Sequence, residues 1–209
     1  MQATTARALK ERRRHAWRGR SSSERLAFLR GFIKNPVMVG SVIPSSKRLI
    51  DKMLAPVKWD ETQLFVEYGP GVGTFTRVIL ERLPDTAKLV TIDTNAEFTA
   101  FLKESIDDPR LIAVTASAAD IEKVLSDRGL PKADYILSGL PFSTLPPGVG
   151  EAIGAATARA IRPGGAFLVY QFSPKVRDFI APVFERIERG FEWINVPPAT
   201  LFWAWREED

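Results

Sequence analysis

The sequence predicts an α/β domain whose mostly parallel sheet is covered by helices on both faces and ends in an antiparallel hairpin. From residue 61 onward, short runs rich in β-branched, aromatic and leucine residues alternate with helix-length segments. This alternation is typical of a parallel sheet with helical crossovers. Near the C-terminus two strand-like runs are joined through the segment NVPPA, which leaves no room for a helix. A chain of 209 residues is long enough to bury one such core.

The individual elements follow from these patterns in chain order. The five strands predicted in the alternating part are Gln63–Tyr68, Lys88–Asp93, Leu111–Val114, Ala133–Ser138 and Ala166–Phe172. The helices between them are Thr74–Arg82, Ala96–Ser105, Ala119–Arg128 and Val149–Ile161. The hairpin pairs Ile187–Ile194 with Thr200–Arg206.

The part of the chain before the sheet predicts two further helices. They lie within residues 23–60 and are separated by the turn-rich stretch NPVMVGSVIPSS. Ser45 or Ser46 is suited to cap the second helix. We therefore expect an N-terminal segment, residues 1–60, and a main domain, residues 61–209.

Composition excludes several classes of chemistry. The chain has no cysteine and a single histidine, His15. Disulfides and cysteine-ligated metals are thereby excluded, while a histidine-based metal site and Ser-His-Asp or Cys-His catalysis are disfavoured. No apolar run is long enough to span a membrane, and the first residues lack the apolar stretch of a secretory signal. We expect a cytoplasmic protein without a metal.

Charge is distributed unevenly along the chain. The first 34 residues hold ten Lys or Arg and only two acids, although the net charge of the whole chain is +4. A basic arm on a mildly acidic body indicates a polyanionic partner, either nucleic acid or anionic lipid. A solvated tail without a partner remains the alternative.

A glycine-rich run, EYGPGVG, follows the first predicted strand and opens a helix. Its glycines, Gly69, Gly71 and Gly73, permit a tight turn and close approach of a ligand to the backbone. Asp93 ends the next strand 20 residues after the last glycine, where a carboxylate can accept hydrogen bonds from ribose hydroxyls. The alternative is that the glycines only build a turn and that Asp93 caps a helix.

Two details favour S-adenosylmethionine over a dinucleotide as the ligand. The glycine spacing is GxGxG, and Glu67 precedes the turn, where methyltransferases often carry an acid that fixes the methionine amino end. Thr94 follows Asp93 and is included in the expected cofactor site. After the third strand, Ser117, Ala118 and Ala119 match the loop beside the adenine. Asp120 either accepts from the adenine amino group or caps the helix that starts at Ile121.

The loop after the fourth strand, SGLPF, resembles the [N/D/S]-[P/L]-P-[Y/F/W] motif of amino-methylating enzymes. In that motif a side-chain oxygen and a backbone carbonyl accept hydrogen bonds from the target amine, and an aromatic ring packs on it. Here Ser138 or Gly139 supplies the polar end, Leu140 the carbonyl and Phe142 the ring. A serine in place of Asn or Asp favours an amine more flexible than adenine. An ordinary turn forced by Gly and Pro remains the alternative.

From about Leu26 to the end, the chain resembles the soluble bacterial phospholipid N-methyltransferases of the rhizobial type, in the class I S-adenosylmethionine-dependent superfamily. The specific segments are FLRGFIKNPVMVGSVIPSSKRLIDKM and ILSGLPFSTLP. The resemblance implies a seven-stranded Rossmann-like fold. It also implies successive methylation of phosphatidylethanolamine to phosphatidylcholine, with release of S-adenosylhomocysteine at each transfer. Tyr170, at the end of the fifth strand, is a candidate contact for the amine or phosphate.

The same pattern is similar, more distantly, to ribosomal RNA adenine dimethylases, so a nucleic-acid methyltransferase remains the alternative function. We nevertheless expect no nucleic-acid partner and a monomeric protein. In related enzymes the stretch before the second helix covers the cofactor, so residues 1–60 are expected to cover the site and contact a membrane.

An amphipathic helix predicted over Arg25–Lys34 supports peripheral attachment to the inner membrane. Apolar and aromatic side chains share one face, and Arg30 and Lys34 lie opposite, which suits an anionic surface. The residues expected to contact the membrane are Arg25, Leu26, Phe28, Leu29, Phe32 and Ile33. Packing of this face on the main domain is the alternative.

Overall fold

The structure is a computed structural model that describes residues 46–171, 175–194 and 198–207. Its strands are β1 (Leu64–Tyr68), β2 (Lys88–Asp93), β3 (Leu111–Thr115), β4 (Ala133–Ser138), β5 (Ile161–Gln171), β6 (Arg186–Glu192) and β7 (Ala199–Trp205). Its α-helices, numbered within the described residues, are α1 (Lys47–Met53), α2 (Thr74–Arg82), α3 (Ala96–Ser105), α4 (Ile121–Ser126), α5 (Val149–Ala160) and α6 (Val176–Ile180). The predicted membrane-contacting residues, 25–33, lie outside the described ranges.

The described strands form one seven-stranded sheet in the order β3-β2-β1-β4-β5-β7-β6. β1 pairs in parallel with both β2 and β4, so the strand order reverses between β1 and β4. β7 runs antiparallel to both β5 and β6. The carboxyl ends of the five parallel strands therefore share one edge with the end of β6, and α/β sheets bind ligands at this edge. The predicted sheet and its terminal hairpin are confirmed.

The core lies on both faces of the sheet. On one face α1 and α2 bury Leu49, Met53 and Ile79 against the strands. On the other face α4, α5 and α6 pack around Phe167. Ser46 caps α1, because its side chain accepts a hydrogen bond from the Leu49 N–H at 3.1 Å. The part of residues 1–60 that the structure describes thus packs into the core of the main domain, and the boundary at residue 60 stays a prediction.

The start of β5 and the helix after β3 differ most clearly from the predicted ranges, and the other predicted strands and helices of the main domain differ by two residues or fewer at either end. β5 begins at Ile161, five residues before the predicted Ala166, and its pairing with β4 shifts register between Ala133 and Tyr135. The glycines in this stretch permit the irregular start, since a Cβ on Gly165 would lie 2.6 Å from the Asp134 carbonyl oxygen. The helix predicted over residues 119–128 is a 3₁₀ turn, Ala118–Asp120, followed by α4.

Candidate active site

The turn between β1 and α2 has the backbone geometry that its glycines predict. Gly69, Gly71 and Gly73 have φ angles of 63°, 53° and 80°, in the left-handed region that favours glycine. A Cβ on Gly73 would lie 2.7 Å from the Leu102 side chain, so the turn packs too closely for a larger residue. The turn therefore presents backbone rather than side chains to a ligand at this edge.

Arg77 holds the turn in place, although no pattern in the sequence singled it out. Its guanidinium donates to the carbonyls of Val72 at 2.5 Å and Gly73 at 3.1 Å, and to the Ser105 hydroxyl at 3.2 Å. These bonds tie the glycine turn to the C-terminal end of α3. The available signal was a cation one turn into a helix, which is common on solvated surfaces.

Glu67 lies beneath the turn and is only 3% exposed. One of its carboxylate oxygens accepts a hydrogen bond from the Thr76 hydroxyl at 2.6 Å. Burial raises the pKa of Glu67 to about 7, and the nearby Asp93 carboxylate adds to the increase. The carboxyl group therefore changes protonation state near neutral pH, and a bound cation beside it would favour the ionised form.

Asp93 ends β2 and faces the glycine turn. Its carboxylate accepts hydrogen bonds from the N–H of Asn95, at 2.9 Å, and of Gly71. Burial raises the pKa of Asp93, while these two bonds oppose the increase. The cap of α3 is Asn95, whose side chain accepts from the Glu97 N–H at 2.8 Å. Asp93 is thus not the cap of that helix, and exposed Thr94 follows it at the edge.

The loop after β3 brings Ser117, Ala118 and Ala119 to the same edge. The Ser117 hydroxyl accepts from the Ala119 N–H at 3.2 Å and fixes a 3₁₀ turn. Asp120 occupies the N-cap position of α4, but its side chain makes no capping hydrogen bond. Of the two interpretations of Asp120, helix capping is the one this geometry disfavours.

The loop after β4 is shaped by its own hydrogen bonds. Ser138 is fully buried, and its hydroxyl accepts from the Leu140 N–H at 3.2 Å. The Leu140 carbonyl accepts from the Phe142 N–H at 3.0 Å and from the Gln171 side-chain amide. Both lone pairs of the Leu140 carbonyl oxygen, the expected acceptor for the amine, are therefore engaged within the chain. One accepts from a backbone N–H and the other from the Gln171 side chain.

Phe142 lies in the core rather than at the open edge. Its ring is 2% exposed and stacks on Phe179, with the ring centroids 5.7 Å apart. The contact of Phe142 with a target amine stays a prediction.

Tyr170 occupies the space beside Gly139 that a side chain would need. A Cβ on Gly139 would lie 2.9 Å from the Tyr170 Cζ and would also collide with the hydroxyl. The Tyr170 ring stacks on Phe75, with centroids 4.9 Å apart and an interplanar angle of 24°. The Gly139 backbone is fixed because its N–H donates to the Tyr68 carbonyl at 3.1 Å. With Ser138 turned inward, the Tyr170 hydroxyl is the polar side-chain group at this position of the motif.

The two loops meet at the point where the strand order reverses. A Cβ on Gly69 would lie 3.0 Å from the Leu140 side chain, so the glycine turn and the SGLPF loop are in contact. Glycine backbone, the Asp93 carboxylate and the small residues after β3 together fit a nucleoside with a charged amino-acid tail. Among the described residues, no group of three His, Cys, Asp or Glu side chains is placed to hold a metal ion.

A sheet of this order, with a glycine turn facing the acid that ends β2, has the fold of the class I S-adenosylmethionine-dependent methyltransferases. The comparisons with known proteins agree. The chain is 26% identical over 179 residues to the ornithine lipid N-methyltransferase of Singulisphaera acidiphila, covering 85% of this chain and 93% of that protein. This confirms the resemblance to lipid N-methyltransferases and S-adenosylmethionine as the methyl donor.

Other comparisons are more distant or shorter. An O-methyltransferase of tomaymycin synthesis from Streptomyces achromogenes, solved with S-adenosylmethionine, superposes with a TM-score of 0.67 at 16% identity, covering 90% of this chain and 91% of that one. The ribosomal RNA small subunit methyltransferase H of Leptothrix cholodnii is 36% identical over 77 residues, covering 35% of this chain and 24% of that protein. No protein-family model matches the chain. Within the described ranges, no helix has the length and apolarity needed to cross a bilayer.

Proposed function

We propose that this methyltransferase transfers methyl groups to the amine of a membrane lipid head group, with phosphatidylethanolamine and its mono- and dimethyl forms as substrates. The observation that carries the proposal is the arrangement at residue 139, where a glycine and the Tyr170 hydroxyl replace a fixed polar side chain. A rotatable phenol suits a flexible aliphatic amine better than the planar amine of adenine. The relative named as a lipid N-methyltransferase supports the same substrate class.

One set of residues holds the methyl donor, and another set holds the amine. S-adenosylmethionine, when bound, would supply a methyl group on a positively charged sulfur, so that a nitrogen–carbon bond would form as the carbon–sulfur bond breaks and the sulfur would leave as a neutral thioether. The Asp93 carboxylate accepts hydrogen bonds from the ribose hydroxyls. Ionised Glu67 stabilises the positively charged amino group at the methionine end of the donor. In the first two transfers, the Leu140 carbonyl and the Tyr170 hydroxyl accept the amine hydrogens and direct the lone pair toward the methyl group. The tertiary amine of the third transfer has no hydrogen to donate, so it is positioned by the shape of the site alone.

The Gln171 side-chain amide occupies the position that the substrate amine would take. It donates to the Leu140 carbonyl and so makes the bond that a substrate N–H would make. An arriving amine exchanges one donor for another, so the carbonyl is satisfied before and after binding. The amine reacts as the neutral base, and the ammonium product releases its proton to water before the next transfer.

The second candidate substrate is an ornithine lipid, which the named relative favours. Both lipids present a primary amine near an anionic group, phosphate in one and carboxylate in the other. A nucleic-acid substrate is the weaker alternative. The RNA methyltransferase match covers only 35% of the chain, and residue 139 has no amide oxygen to bind an adenine amine.

The test is methyl transfer to defined acceptors by the full chain. Labelled S-adenosylmethionine is incubated with vesicles containing phosphatidylethanolamine, with vesicles containing an ornithine lipid, and with ribosomal RNA. We expect label in phosphatidylethanolamine, and about 100-fold less with the Asp93→Ala variant at limiting S-adenosylmethionine. Label only in the ornithine lipid would reassign the substrate within the lipid class. Label only in RNA would overturn the proposal.

A further inference from the structure

Trp193 and Ile194, here called the tip, project from the end of β6. They are 75% and 62% exposed and are the large apolar side chains that the described part of the chain leaves open to solvent. The Trp193 ring contacts Phe191 with centroids 4.1 Å apart, so it is supported from the sheet side. The Ile194 N–H donates to the Glu192 carboxylate at 3.0 Å, which fixes the backbone of the tip.

The tip lies on the same edge of the sheet as the amine site. Thr200 of β7 pairs with Gln171 of β5 on one side and with Phe191 of β6 on the other. Two strand spacings separate Phe191 from Gln171, a distance of about 10 Å. A flat surface that touches the tip therefore passes close to the residues proposed to hold the amine.

Two cations of α1 lie beside the tip. The Glu192 carboxylate is 3.5 Å from the Arg48 guanidinium and 3.9 Å from the Lys52 amine, so two cations of α1 share one acid. Lys52 also donates to the Phe191 carbonyl at 2.6 Å. Two cations around one carboxylate leave a surplus of positive charge beside the exposed tip.

We infer that the tip inserts into the interfacial layer of an anionic bilayer, with the cations of α1 against lipid phosphates and the amine site turned toward the membrane. The inference rests on the proposed function, because a lipid amine reaches the Tyr170 hydroxyl most directly when the bilayer lies against this edge. Tryptophan is the side chain most suited to this layer, since it pairs an apolar ring with an N–H donor.

A protein partner fits the tip less well than a membrane. A stable protein interface buries about 800 Å² on each partner, far more than two side chains provide. Cations beside a small apolar projection match an anionic lipid surface, where attraction and shallow insertion act together. This contact is separate from the one predicted for residues 25–33.

Fluorescence quenching by brominated lipids tests insertion directly. The full chain carries Trp17→Phe so that the basic arm gives no signal, and the vesicles contain phosphatidylglycerol and phosphatidylethanolamine. We expect quenching that Trp193→Phe removes. The matched control, Trp59→Phe, should retain it, because Trp59 stacks on Phe65 away from the tip. Quenching that survives Trp193→Phe would overturn the inference.

Activity gives the second readout. The Trp193→Ala/Ile194→Ala variant should lose about tenfold in rate on vesicle-embedded lipid, as expected when shallow insertion is lost. Its rate on the same lipid dispersed in detergent should match that of the unaltered chain. Equal losses in both assays would mean that the tip acts on folding or catalysis and not on membrane contact. If no lipid is methylated at all, the proposed function fails. The quenching experiment still tests, independently of activity, whether the tip inserts into the bilayer.

Discussion

The ring of Tyr170 fills the space that a side chain on Gly139 would occupy, and its hydroxyl is the polar group at that point of the SGLPF loop. Replacing Tyr170 with Phe keeps the stack on Phe75 and removes only the hydroxyl. Loss of one hydrogen bond to a reacting amine should lower kcat about 10- to 100-fold. Affinity for S-adenosylmethionine, measured by calorimetry, should not change. A variant with normal turnover would remove Tyr170 from the amine site.

The same contact predicts that Gly139 and Tyr170 are energetically coupled. Gly139→Ala should lower turnover severely because the added Cβ displaces the ring. In a Tyr170→Ala background the same substitution should have little further effect, since no ring remains to be displaced. Unfolding midpoints measured for all four proteins separate this coupling from misfolding. Additive losses of turnover across the cycle would contradict the contact.

Asp93 should dominate the affinity for the methyl donor. Asp93→Ala removes two hydrogen bonds from ribose hydroxyls to a carboxylate, so it should weaken the binding of S-adenosylmethionine about 100-fold. Isothermal titration calorimetry measures the change. Asp60→Ala is the matched control, because that acid lies before β1, at the opposite end of the strand. Undiminished affinity in the Asp93 variant would rule it out as the ribose acceptor.

Buried Glu67 should give the protein a pH-dependent stability. Its pKa is raised to about 7, whereas the unfolded chain releases this proton near the ordinary value of 4.5. Between these values the native state binds more protons than the unfolded state, so the free energy of unfolding falls as pH rises. The full difference corresponds to about 3 kcal/mol.

Urea unfolding at pH 5 and pH 8 measures that dependence. Glu67→Gln keeps an acceptor for the Thr76 hydroxyl and removes the titrating group, so its stability should fall less between the two pH values. Exposed Glu97→Gln serves as the control and should behave like the unaltered chain. Identical pH dependence in the Glu67 variant and the unaltered chain would show that its pKa is not raised.

The sequence predicted those features that depend on neighbours along the chain. Strand and helix order follow from local periodicity, and the glycine turn and Asp93 follow from spacing after β1. The positions of Tyr170 and Gln171 relative to the SGLPF loop depend on packing between strands about 30 residues apart in the chain. No local pattern encodes such a contact.

The sequence also did not predict the directions in which the side chains of the SGLPF loop point. The sequence did not show that the Ser138 hydroxyl accepts from the Leu140 N–H or that Phe142 stacks on Phe179, and the contact of either residue with the amine stays a prediction. The Phe142 stack exists because α6, which follows β5, packs against the loop after β4. The contact of α6 with this loop forms only when the sheet brings β4 and β5 together, so no local pattern predicts it.

The strongest test of methyl transfer to phosphatidylethanolamine is the lipid composition of living cells that express the chain. The chain is expressed in a bacterium that makes phosphatidylethanolamine but none of its methylated forms, and extracted lipids are analysed by mass spectrometry. We expect mono-, di- and trimethylated phosphatidylethanolamine with the unaltered chain and far smaller amounts with Asp93→Ala. Unchanged lipids together with newly methylated adenine in ribosomal RNA would contradict methyl transfer to a lipid amine.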